Sequence, residues 1–248
     1  MNSPAIRVEG AALQVRVLHE IPELASVDQL FVEVWGRGVP VLGAELLRAI
    51  SHAGGYVSGA YLGDRLVGAS AAFLGRHGSQ LALHSHATGV SPAARGLQVG
   101  RALKLHQRHW ARAQGIEVIT WTFDPLVRRN AWFNLALLGA RPAEYLVDFY
   151  GPMSDAINAG DESDRLLVAW EVRGSGAGES EVADRTAPEE EGLIRIPTPP
   201  DIESMRHADP AAARQWRHRL RADLHDHVQE HRVVGFAREG DYLVRPRP

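Results

Sequence analysis

Apolar and polar residues alternate at Leu13, Val15 and Val17 and then recur at helical spacing through residues 27–35, so the regular pattern begins with a strand followed by a helix. A shorter helix is predicted over 45–52, closed by Gly54 and Gly55. Three strand patterns follow in close order at 56–62, 65–74 and 80–90. Gly63-Asp64 and the segment 75–78 supply the turns between them, which predicts an antiparallel meander. After Val90 the sequence SPAARGLQVG leads into a helix through Ala113, with Val99, Leu103, His106 and Trp110 three or four residues apart and Gly115 as its stop. Residues 116–123 form an apolar strand, 128–138 a helix closed by Gly139, and 144–150 and 165–171 two further strands. Strands before and after a single helix imply at least one parallel crossover, so the sheet is expected to be mixed.

The periodicity stops at residues 174–192, a small, acidic stretch that reads as a linker. Beyond it, Asp209 and Pro210 suit the start of a helix, Trp216, Leu220 and Leu224 lie four apart, and 232–236 with 242–244 are expected to pair as a hairpin through Glu239-Gly240. The expected organisation is a domain at 1–173, a linker at 174–192 and a C-terminal extension at 193–248. A lone helix and hairpin cannot bury the Trp216 stripe, so the extension should pack on the first domain, within the chain or across a homodimer.

Composition narrows the chemistry. The 248 residues include no Cys, which excludes disulfides, thiolate metal sites and a cysteine nucleophile. Neither a signal-peptide pattern nor an apolar run of membrane-spanning length is visible, so a cytoplasmic protein without membrane association is expected. A net charge of −3 gives no basic field for nucleic acid. Lys104 is the only lysine beside 26 arginines (27 − 1), which reads as compositional bias. Arg214, Arg217, Arg219 and Arg221 are followed by Asp223, Asp226 and Glu230, a pattern expected of a solvated mixed-charge face. His227 and His231 share a helical face, but no convincing third ligand accompanies them and no metal is expected.

The most informative segment is VSPAARGLQVGRAL at 90–103. Unpaired N–H groups at a helix start carry positive partial charge and suit a phosphate, and Gly96 and Gly100 allow close approach; simple capping fits the same pattern. The segment resembles the cofactor motif of the GNAT superfamily of acyl-CoA-dependent N-acyltransferases, with Val90, Pro92, Arg95, Gly96, Gly100, Ala102 and Leu103 in register and the order of elements around it also similar. SHATGV, WTFDPLVRRNAWFNLALLGA, FYGPM and SDRLLVAWEV look like a bacterial subgroup of such proteins with a C-terminal extension. The resemblance implies an α/β fold with a mixed, largely antiparallel central sheet flanked by helices, and acetyl-CoA or another short acyl-CoA as co-substrate. It places Thr88, Gly89, Val90, Arg95, Gly96, Leu97, Gln98, Val99, Gly100, Arg101 and Ala102 at the cofactor, with backbone donors around Thr88 to Val90 on the thioester carbonyl.

Two departures stand out. Gln98 replaces the middle glycine of the motif, and Leu135 occupies the position where the superfamily often has a tyrosine that protonates the departing thiolate, so Tyr145 or Tyr150, or a water, must substitute. Attack by an amine needs a base near neutral pH. His84 and His86, two apart on the strand entering the turn, face the same way, though one of them alone would equally suit packing. Asn130 and Asn134, on one helical face, suit pantetheine amides or the acceptor, while Asn130 also suits a cap; Trp121 and Asp124 are candidate substrate contacts, with core and turn roles as the alternatives. The expected activity is direct acyl transfer to an amine, a small molecule rather than a protein. The rival readings are an acyl-CoA sensor without turnover and a protein-interaction module.

Overall fold

The computed structural model describes residues 6–8, 11–36, 42–151, 161–173 and 192–247. The chain divides into two compact units, residues 1–120 and 121–248. Of the linker expected at 174–192, residues 174–191 lie outside the described residues. No helix among the described residues is long and apolar enough to cross a membrane.

In the first unit, β1 (Ile6–Val8), β2 (Ala11–Val17), β3 (Tyr56–Leu62), β4 (Arg65–His77) and β5 (Gln80–Val90) pair antiparallel in chain order. The first part of β6 (Val118–Phe123) runs parallel to β5. This is the mixed, largely antiparallel sheet that the pattern predicts. Strand β4 runs straight through Gly75, so the turn is confined to Gly78 and Ser79, where Gly78 supplies the positive φ of 58° that the tight connection requires.

Helices α1 (Ile21–Trp35) and α2 (Ala44–His52) cover one face of this sheet. Glu20 and Glu23 form a reciprocal capping box, and Pro22 sits in the first turn, which is why α1 starts six residues before its apolar pattern becomes regular. Leu24, Val27, Phe31 and Leu47 pack on Val57, Ala69, Ala71 and Ala87. Alanines on the strands and glycine at 89 permit the close approach: a Cβ on Gly89 would lie 3.1 Å from the Trp35 ring. On the other face α3 (Val99–Ala113) packs Val99 and Leu103 against Leu13, Ala60 and Val67. A Cβ on Gly68 would lie 2.7 Å from Val99, so α3 sits on β4 only because that side chain is missing.

In the second unit, β8 (Arg165–Glu171) lies between the end of β6 and β7 (Arg141–Leu146). The helix predicted over 128–138 begins as α4 (Arg128–Ala131) and widens into a π-helical stretch, Trp132–Leu137, in which the Leu138 N–H reaches back five residues to the Phe133 carbonyl. Strand β7 ends earlier than expected because Asp148, at φ 44°, turns the chain and its carboxylate accepts from the Ser163 N–H.

The extension contributes β9 (Ile194–Pro197), α5 (Ile202–Ala208), α6 (Pro210–Gln229), β10 (Val233–Phe236) and β11 (Asp241–Val244), the strands ordered β10-β11-β9. The hairpin and α6 match the pattern, including the Asp209 cap on the Ala212 N–H. Strand β9 and α5 are too short to leave a readable period. The buried face of α6 is Ala213, Arg217, Leu220, Leu224 and Val228; Trp216 is half-buried at its edge, stacked under Arg219 at 5.3 Å. Of the arginine run, Arg214 and Arg219 are exposed as expected, and Arg219 pairs with Asp223, but Arg217 departs from a solvated face. Arg217 is 1% exposed, because its neighbours supply the carboxylates described below.

Candidate active site

The feature that sets β5 apart is its outer edge. Parallel pairing with β6 covers only residues 82–84, so among the described residues 85–90 have a strand partner, β4, on one side alone. A register shift opposite Ala71 and Ala72 leaves His86 as an extra residue in β5, a bulge that bends a strand and re-aims its backbone groups. N–H and C=O groups on such an edge are available to an extended ligand.

His84 and His86 flank this irregularity on the face that carries Phe73, with ring centroids 6.3 Å apart and Phe73 5.2 Å from His84 and 5.7 Å from His86. The Nδ1 of His84 lies 3.1 Å from the Thr120 hydroxyl. Burial, reinforced by the charges of His86 and Lys104, pushes the His84 imidazole down to about 4; burial also lowers His86. Both rings are therefore neutral at pH 7, the form that accepts a proton.

Where β5 ends, Ser91 holds the turn to α1 through a 2.9 Å bond from its hydroxyl to Glu33. A short 3-10 turn, Pro92–Ala94, leads to Gly96, at φ 84°, and to Gln98, which caps α3 with a left-handed φ of 57° and no side-chain bond. The motif's middle glycine position thus needs a positive φ, and Gln98 adopts it at a cost that glycine would not incur. Helix geometry leaves the N–H groups of Val99, Gly100 and Arg101 without intrahelical acceptors. Residues Arg95, Gly96 and Gln98 are exposed, Leu97, Gly100, Arg101 and Ala102 half-buried, and Val99 buried, so Val99 offers a ligand only its backbone. Thr88 is half-buried, its hydroxyl 2.9 Å from that of Ser70.

Residues 24–134 match the sequence profile of the Acetyltransferase (GNAT) family. This segment is a GNAT-family domain. Solved structures share its fold: the ribosomal-protein-S18-alanine N-acetyltransferase of Escherichia coli (12% identity, TM-score 0.52) covers 68% of this chain and 99% of its own. A Salmonella typhimurium protein solved with its cofactor acetyl-CoA (15%, TM-score 0.53) covers 68% and 99%, and the ribosomal-protein-S5-alanine acetyltransferase of Vibrio fischeri (16%, TM-score 0.52) covers 69% and 98%. No curated protein matches the sequence.

Beyond Thr120 the candidate residues of the GNAT domain and of the chain that follows it have other occupations. Trp121 is buried, edge-on to Trp170, and its indole N–H donates to Asn134 Oδ1 at 3.1 Å, so the expected pantetheine ligand Asn134 is tied into the core by the π-helical stretch. Asn130 lies half-buried inside α4, with Val127 as the cap. Leu135 is buried. Tyr145, a candidate acid, is 3% exposed and its hydroxyl donates to Asp164 at 2.8 Å; burial and the Asp164 charge push its pKa up, which makes it a poor proton donor to a thiolate. Tyr150 is exposed, 3.3 Å from the Thr122 hydroxyl.

Asp124 is not open to a substrate. It is 5% exposed, and Arg217 spans both of its oxygens at 2.8 and 3.0 Å while Arg206 also donates to it; both arginines also bond Asp161. Next to this cluster Arg221 donates to Asp164 and Glu162. The α6 residues at 213, 217, 220, 224 and 228 follow helical spacing better than 216, 220 and 224, and that spacing is the signal in the sequence that marks Arg217 as inward-facing.

Proposed function

We propose that the GNAT domain moves an acetyl or other short acyl group from acyl-CoA directly to a small-molecule amine. The amine nitrogen attacks the thioester carbonyl, the C–S bond breaks, CoA leaves as thiolate, and the proton lost by nitrogen passes to His84 or His86. The observation that carries this reading is the unpaired edge at 85–90, with two neutral histidines at one end and the uncapped start of α3 at the other. Its backbone donors suit the carbonyl oxygen as charge develops there, and the N–H groups of α3 suit a pyrophosphate.

The test is release of free thiol from acetyl-CoA in the presence of an amine panel. Gly100→Asp, which sets a carboxylate at the start of α3, should weaken CoA binding at least tenfold, equivalent to about 1.4 kcal/mol. Calorimetry checks it: unchanged affinity in a folded variant removes the cofactor from this turn. A second reading, acyl-CoA binding without turnover, is favoured by Leu135 in place of the tyrosine that often protonates the thiolate. Binding of acetyl-CoA with no thiol released for any amine selects that reading.

A further inference from the structure

The single lysine of the chain is one of its most buried charged residues: Lys104 in α3 is 4% exposed. Its Nζ donates to Ser85 Oγ at 2.8 Å and lies 3.4 Å from Gln107 Oε1. The Gln107 amide nitrogen donates to Ser70 Oγ at 3.2 Å, and Ser70 bonds Thr88 at 2.9 Å. Five side chains therefore form one hydrogen-bonded run on the α3 face of β4 and β5. Ser85 stands between His84 and His86 at the bulge, so the lysine grips the strand from one face where the histidines leave it on the other. Everywhere else this protein uses arginine, whose guanidinium stays charged however deeply it is buried; an amine can release its proton.

We propose that Lys104 is a positioning residue for this domain, holding the bulge of β5 through Ser85 and, by gaining or losing its own proton, setting how readily His84 takes one. The inference rests on the reading of His84 as a proton acceptor. Burial pushes the Lys104 ammonium down to about 7, and its charge is among the influences that depress His84. Below pH 7 the ammonium repels a proton on His84; as the pH rises through 7 that repulsion is lost and His84 becomes a stronger base.

The surroundings keep this switch separate from others. On α3, Arg101 and Arg108 flank Lys104 three residues before and four after, with fixed charge. Tyr56 of β3 is raised by burial and stays neutral, and its partner His106 is lowered by burial, as is His86 across the strand. Among the described residues, β2 contributes Leu13 and Val15 to the cluster under α3, Ser70 of β4 bonds Gln107, and Thr120 of β6 bonds His84.

One lysine means one Nζ resonance in protein labelled with 15N-lysine. In the wild type it should titrate near 7 instead of the ordinary value of about 10.4; titration at the ordinary value overturns the proposal. Lys104→Met should raise the His84 midpoint, read from its ring resonances, by about half a unit or more, whereas Lys104→Arg, with a permanent charge, should keep it low. Ser85→Ala leaves the lysine in place but removes its 2.8 Å acceptor on β5, so the Lys104 midpoint should fall further; no change overturns the grip on β5. In turnover, the wild-type kcat should rise through pH 7, and that step should vanish in Lys104→Met without a change in KM. If the double variant His84→Ala, His86→Ala retains full activity, the base assignment fails, while the resonance titrations still decide separately whether Lys104 and His84 are coupled.

Discussion

Replacing Arg217 by methionine is expected to lower the unfolding free energy by about 3–5 kcal/mol, the cost of stranding a buried carboxylate. Arg217 spans both oxygens of Asp124 and reaches Asp161, and none of the three side chains is more than 6% exposed as a residue. Burial alone pushes the Asp124 carboxyl up. The charges of Arg217, Arg206 and Arg165 outweigh it and hold the group well below the ordinary carboxylate range. A carboxylate depressed in this way stabilises the fold fully above its unfolded value of about 3.9, and that stability is lost as the pH falls towards the folded value. Without Arg217 the Asp124 pKa rises, so acid unfolding should begin at a higher pH in the variant. Chain termination after residue 173 removes Arg206, Arg217 and Arg221 together and should cost more. Urea titrations at pH 7 and pH 4 check both; a loss under about 1 kcal/mol for Arg217→Met would mean that water or rearranged side chains compensate Asp124.

Replacement of the base by alanine should lower turnover by roughly 10² with KM for acyl-CoA unchanged, because the proton acceptor works in the transition state and not in cofactor binding. His84→Ala and His86→Ala are made separately and together, since the two rings share Phe73 and one can stand in for the other. With His84 at about 4, loss of activity to protonation of the base should set in well below the ordinary 6.5 of histidine. Full activity of the double variant from pH 6 to 9 would assign the proton to solvent.

The first unit was legible because its pattern is local. Alternation, turn glycines and helical spacing mark β2 to β5 and α3 to within a few residues, and the motif at 90–103 places the uncapped helix start beside the strand that carries the histidines. Boundaries slipped where a non-local bond decides them. Strand β7 stops at the Asp148 turn held by Ser163, and the 128–138 helix widens so that Asn134 can meet Trp121.

Charge in the interior is what the sequence alone could not allocate. Twenty-six arginines and one lysine read as composition until the fold buries particular ones, because a run such as Arg214 to Arg221 has the same local pattern whether it meets water or carboxylates. Asp124, 93 residues from Arg217 along the chain, becomes an ion-pair partner only when folding brings them together. Lys104 likewise has its proton affinity set by the strands that cover it. The sequence by itself determined the order of strands and helices, the glycine-rich turn and which residue types are available for proton transfer, since each of these follows from neighbours a few residues away. Only the tertiary structure decided which of those groups are desolvated, which are paired and which edge of β5 is left open, because burial and Coulomb energy depend on distance in space and not on separation along the chain.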